Sequence, residues 1–117
     1  MAMVQASAVV SPNGTAVAEV PALEPLAWSL GRAHPNPFGR EVTIEYAVAA
    51  PARVRVAVFD LAGRHVRGLV NAVQEPGRYE IRWDGRNEAG RRLGSGIYFL
   101  RYEGGPAPMT RRVVLLN

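Results

Sequence analysis

A chain of 117 residues has room for one domain and a tail, and 48% hydrophobic residues supply a core without metal or disulfides. With no cysteine, a disulfide scaffold and any thiolate metal site are excluded. The net charge is +4 and every cation is arginine, a usage that points to a GC-rich genome more than to a ligand, although a basic surface can meet an anionic partner. No apolar run approaches the ~20 residues that span a bilayer. The opening MAMVQASAVV lacks the basic n-region of a signal peptide, so if the protein is exported its signal is expected upstream of this segment.

Residues 1–29 hold only two charged side chains, Glu19 and Glu24, and read as a linker or tail with partial order. Ser11-Pro12-Asn13-Gly14 is a turn sequence between two short apolar runs, where a weak hairpin is possible. Residues 30–117 hold all fourteen arginines and eight of the ten acids, so this part carries +6.

The first feature of the domain is His34-Pro35-Asn36-Pro37-Phe38-Gly39. Each proline pushes the preceding residue to extended backbone, and Phe38 is placed to anchor on a core. Val42, Ile44, Tyr46 and Val48 then alternate with Thr43, Glu45 and Ala47, the period of a strand with one buried face. Arg53–Phe59 alternates in the same way and ends in Asp60-Leu61-Ala62-Gly63, a connection of hairpin length in which Gly63 can take a positive φ.

The return strand is expected to run from about Arg64 to about Val70, followed by an irregular connection. Val66, Leu69, Val70 and Val73 have helical spacing, but Gly68 and the short length argue against a helix. Glu75-Pro76-Gly77 is a turn, and Tyr79, Ile81 and Trp83 mark another strand. A polar loop, Asp84–Gly90, leads through Leu93-Gly94-Ser95-Gly96 into Ile97–Tyr102, with Tyr98, Leu100 and Tyr102 at the inward phase. Thr110–Leu116 is the last strand, and a strand placed there is expected at a sheet edge. About seven strands joined by turns, with no intervening helical pattern, make an all-β, immunoglobulin-like antiparallel β-sandwich the natural architecture.

Taken in order, Asn36-Pro37-Phe38, Thr43-Ile44-Glu45-Tyr46, Val58-Phe59-Asp60 with Gly63-Arg64, Trp83-Asp84-Gly85, Ser95-Gly96-Ile97-Tyr98 and Arg111-Arg112-Val113-Val114-Leu115 resemble the C-terminal sorting domains of the type IX secretion system. They also resemble the related immunoglobulin-like domain of the flagellar hook-capping protein. The resemblance covers roughly residues 30–117 and lies in the order and spacing of the motifs. It implies a sandwich that serves as an address label for an upstream cargo domain. The label is read by outer-membrane secretion machinery after passage into the periplasm, and the cargo then reaches the cell surface or the medium. The recognition residues it implies are Asn36, Pro37, Asp60, Gly63, Arg64, Arg111, Arg112, Val113, Val114 and Leu115. Family members usually carry lysine in the final strand; arginine keeps the charge and changes its geometry.

Other chemistries fit the residues less well. Asp60 and Arg64 also suit a plain hairpin in which the carboxylate accepts backbone N–H bonds. Asp84, Asn87 and Glu88 put three oxygen side chains in one loop, but their spacing is not that of an EF-hand, and a solvated turn explains them. His34 and His65 have no serine or acid at a spacing that suggests a catalytic triad, so no catalytic residue, metal or cofactor is expected. Arg53, Arg55, Arg82 and Arg101 sit at outward phases and would form a basic stripe on adjacent strands, suited to anionic lipopolysaccharide or polysaccharide. With Tyr46, Tyr79, Trp83 and Tyr98 at inward phases, no nucleic-acid partner is expected.

Overall fold

The computed structural model describes residues 26–117; the hairpin expected around Ser11–Gly14 lies outside them. The strands are β1 (Ser29–Leu30), β2 (Val42–Val48), β3 (Ala52–Asp60), β4 (His65–Gln74), β5 (Gly77–Trp83), β6 (Gly96–Glu103) and β7 (Met109–Leu115). They form two antiparallel sheets, a small one in the order β1-β2-β5 and a large one in the order β4-β3-β6-β7. The all-β, immunoglobulin-like sandwich read from the alternation is the architecture found.

The inward phases meet in one core. Val42, Ile44, Tyr46, Val48 and Trp83 from the small sheet pack on Val54, Val56, Val58, Leu100, Tyr102, Val113 and Leu115 from the large one. Phe38 lies against Trp83 with ring centroids 5.5 Å apart, and Trp83 meets Tyr98 edge-on at 5.4 Å. Tyr102 crosses the gap between sheets to donate its hydroxyl to the Ala47 carbonyl at 2.7 Å. Burial pushes the Tyr102 pKa up to about 12.

β4 departs from expectation: it continues past Val70 to Gln74. Its register against β3 skips Val66, between the pairs Phe59–His65 and Val58–Arg67, and skips Leu69, between Ala57–Gly68 and Val56–Val70. Each extra residue is a bulge that shifts the phase by one. Two such shifts turn a period of two into the helix-like spacing seen in the sequence. Val66, Leu69 and Val70 pack on the core, while Val73, beyond the second bulge, is exposed.

Trp28 packs against the core and Ser29 pairs with Ala47, so two residues ahead of the expected start at residue 30 belong to the packed unit. Trp28 sits on the turn after β6. A Cβ on Gly105 would lie 2.7 Å from the indole, so the ring and the turn approach this closely only because residue 105 is glycine.

Candidate recognition site

The segment Asn36–Phe38 is zipped onto the outer edge of β7. Phe38 N–H donates to the Val114 carbonyl and Leu116 N–H to the Phe38 carbonyl, both at 2.9 Å, giving a parallel bridge between Phe38 and Leu115. One step further along, Asn36 pairs through its side chain. Its Nδ2 donates to the Arg112 carbonyl at 3.0 Å, and its Oδ1 accepts from Val114 N–H at 2.9 Å. The amide side chain thus imitates a peptide group and adds a rung to the ladder. Pro37, which has no N–H, lies between the two pairing residues and leaves no donor unpaired.

The residues of β7 divide by phase. Val113 and Leu115 are fully buried in the core. Arg111 lies at the rim of the inward phase and reaches across to β1, where its guanidinium donates to the Leu30 carbonyl and, at 3.0 Å, to the Gly31 carbonyl. Arg112 points outward and is exposed; among the described residues its guanidinium has no ion-pair partner. Beyond the strand, Asn117 donates to the Leu93 carbonyl at 2.6 Å and accepts from Arg92 at 3.0 Å. Arg92 also bonds the carbonyls of Gly39 and Asp84. β7 is an edge strand, as expected, but its second half is already occupied by Asn36–Phe38.

Asp60, Gly63 and Arg64 form a separate feature. Asp60 pairs with Tyr98, which pairs with Val113, so the hairpin lies at the same end of the large sheet as the Phe38–Leu115 bridge but across β6 from β7. Asp60 Oδ1 accepts the N–H groups of Arg64 at 2.9 Å and Ala62 at 3.0 Å, and Oδ2 pairs with Arg64 Nε at 3.0 Å. The Arg64 N–H bond leads the effects that lower the Asp60 pKa, joined by the Arg64 guanidinium and Ala62 N–H. Gly63 has φ 86°, the left-handed turn its sequence position suggested. The structure therefore gathers Asn36, Pro37 and Arg112–Leu115 into one unit, spends Arg111 on β1, and leaves Asp60–Arg64 as a self-contained turn.

The loop after β5 protects the other edge of the large sheet. Glu88 N–H donates to the Val66 carbonyl at 2.9 Å, and Glu88 Oε2 accepts Gly68 N–H at 2.7 Å. This covers groups on β4 that would otherwise invite another strand. Asp84 Oδ1 accepts Arg86 N–H and Arg67, and Asn87 Oδ1 accepts the N–H groups of Ala89 and Arg91. The three oxygen side chains of this loop thus hold three different parts of the backbone.

The basic stripe is smaller than expected in one place and larger in another. Arg82 is on β5, in the small sheet, where it pairs with Glu80 at 3.1 Å. Alternation fixes which way a side chain points but not which strands become neighbours, so Arg82 could not be assigned to a sheet from the sequence. Arg53, Arg55 and Arg101 do share the outer face of the large sheet, and Arg112 joins them. Phe59 and Phe99 pair across strands on the same face and are partly exposed. Sequence reasoning missed them as surface aromatics, although Phe59 shares the phase of Arg53 and Arg55, and Phe99 that of Arg101.

The FlgD Ig-like domain model matches residues 37–104, more than half of the chain, and the chain belongs to that family. No curated protein matches it. Among solved structures, it is similar to PorZ of Porphyromonas gingivalis, described as an essential bacterial surface component of the type-IX secretion system. That match has a TM-score of 0.51 and 22% identity, over 77% of this chain and 11% of PorZ. It is also similar to dimeric latent PorU of the same organism, with a TM-score of 0.59 and 19% identity over 82% of this chain and 10% of PorU. At these identities the two likenesses speak to the fold, and the chain spans about a tenth of each protein's length.

Proposed function

We propose that this sandwich is a non-catalytic C-terminal sorting domain that directs an upstream cargo through the type IX secretion system to the cell surface or medium. The observation that carries the reading is the joining of its two most distant sorting-domain signatures. Asn36-Pro37 and Arg112–Leu115 form one hydrogen-bonded unit, with contacts 76 and 78 residues apart in sequence. A receptor that reads the outer edge of β7 would meet Asn36, Pro37 and Arg112 together. The fold-level likeness to PorZ, itself described as a component of that system, supports the reading.

The test is a reporter fusion. Residues 26–117 follow a periplasmic fluorescent protein in a bacterium with an intact type IX apparatus and in a strain lacking it. Fluorescence at the surface or in the medium of the intact strain alone is the expected result. Periplasmic retention in both strains refutes the proposal. The family match favours a second reading in that event, a module of a flagellar hook-capping protein. Its check is whether the domain co-purifies with hook filaments.

A further inference from the structure

The outer face of the large sheet carries a groove that the sorting role does not use. On this face Ala57 stands opposite Gly68, so the centre lacks side-chain bulk, while Arg101 flanks Ala57 on the other side. The resulting trough has a volume of about 500 Å³. Phe59 and His65 close one end, their rings edge-on at 5.6 Å. At the other end Arg55 lies between Asn71 and Glu103.

The two faces of the sandwich differ in charge. The large sheet presents Arg53, Arg55, Arg101 and Arg112 against Glu103 and, at its β4 edge, the Glu88 carboxylate held on Gly68 N–H. The small sheet presents Arg78 and Arg82 against Glu45 and Glu80, which cancel. Within the groove Arg101 is paired with Glu103 at 2.8 Å, and Arg53, outside the groove, is held by Asn71 at 3.0 Å. Arg55 has neither an ion pair nor a side-chain hydrogen bond among the described residues. Its guanidinium is the cation available to a ligand.

From this arrangement we infer that the groove binds an acidic polysaccharide, with a sugar carboxylate on Arg55. A sugar hydroxyl both donates and accepts. Asn71 does the same, Glu103 accepts, and the arginines donate, so the lining matches hydroxyls as well as an acid. The apolar C–H face of a pyranose rests against Phe59. A polyphosphate would bring a charge on every phosphate to a groove with one unpaired cation and the Glu103 carboxylate, whereas an acidic sugar carries at most one charge per ring. An extended peptide would find no free backbone ladder, because the groove lies over the face of the sheet and not along its edge. The inference goes beyond sorting and stands if the sorting reading fails.

The test titrates the full chain with an oligogalacturonate at low salt, followed by amide and side-chain chemical shifts. Saturable binding is expected, with shifts centred on Arg55, Phe59 and Arg101, and binding weakens as salt is raised. Arg55→Gln is expected to weaken it about fivefold, on the scale of one exposed charge contact. Phe59→Leu weakens it while keeping an apolar side chain in place, and Arg82→Gln, on the opposite face, leaves it unchanged. The inference is overturned by absence of binding at low salt, by equal binding of neutral dextran, or by an affinity that ignores Arg55→Gln and Phe59→Leu. Tighter binding of a single-stranded oligonucleotide of matched charge overturns it in favour of a nucleic-acid site.

Discussion

Asn36→Ala removes two bonds at once, the donor to the Arg112 carbonyl and the acceptor for Val114 N–H. A typical protein hydrogen bond contributes about 0.5–1.5 kcal/mol net. Asn36 is exposed, so water can replace part of both bonds, and the expected loss is about 1 kcal/mol. In a domain of this size that lowers Tm by roughly 4–8 °C. The local effect is sharper. Val114 N–H loses its only side-chain acceptor, and its amide exchange with solvent should accelerate more than that of Val113. Asn36→Asp separates the two bonds. It keeps an oxygen for Val114 N–H but turns a second oxygen towards the Arg112 carbonyl, and it should cost at least as much as alanine. Urea denaturation and native-state hydrogen exchange measure both quantities. Unchanged Val114 exchange in Asn36→Ala, or Asn36→Asp as stable as the native chain, would refute the account of the side chain as a rung of the sheet. In the reporter fusion, Asn36→Ala should also reduce export at a temperature where the domain remains folded.

The remaining predictions concern the core and the hairpin. Gly105→Ala places a methyl group against the Trp28 indole, and thermal denaturation should show a loss of about 1–3 kcal/mol; a loss below a few tenths would mean that the turn moves freely away from the ring. Tyr102→Phe deletes the bond to the Ala47 carbonyl and should cost about 1–2 kcal/mol in urea unfolding at neutral pH. The same tyrosine makes the fold sensitive to alkali. An unfolded tyrosine ionises near ~10, whereas Tyr102 holds its proton to about 12, so stability falls as pH rises through that interval. Tyr102→Phe should remove that part of the alkaline loss, and an identical pH profile in the variant would contradict it. For Asp60 the sign is opposite. Its folded-state pKa is lowered, so its stabilisation is present above the unfolded value of about 3.9 and is lost as pH falls through the folded one. Acid should therefore loosen the Ala62 and Arg64 amides in the native chain. In Asp60→Asn their exchange should show no such acid step, once corrected for the intrinsic rate.

Much of the fold is legible from alternation alone. β2, β3, β5 and β6 carry aliphatic or aromatic residues at alternate positions, as does the second half of β7, and those residues form the core or pack on it. The extent of β4 was hidden because two bulges each insert a residue and erase the period. The unit that joins Asn36 to β7 was legible only as separate motifs. Nothing local to Asn36 says that its amide will lie beside Arg112 and Val114; that contact exists only after the sheets have closed. Arg111 was hidden in a similar way. Its charge suggested a surface role, but its phase and its place at the rim direct the guanidinium to the Leu30 and Gly31 carbonyls.

Arg111 also defines how this domain would carry force. The chain enters through β1, a strand of two residues, and Arg111 ties that entry directly to β7. Tension between a grip on β7 and the polypeptide ahead of Trp28 therefore meets one guanidinium, two strand pairings and the packed side chains of Trp28 and Leu30. β1, with two paired residues against the seven that join β2 to β5, is the strand expected to part first. β2 and β5, joined over seven positions, and the whole of the large sheet remain assembled behind it.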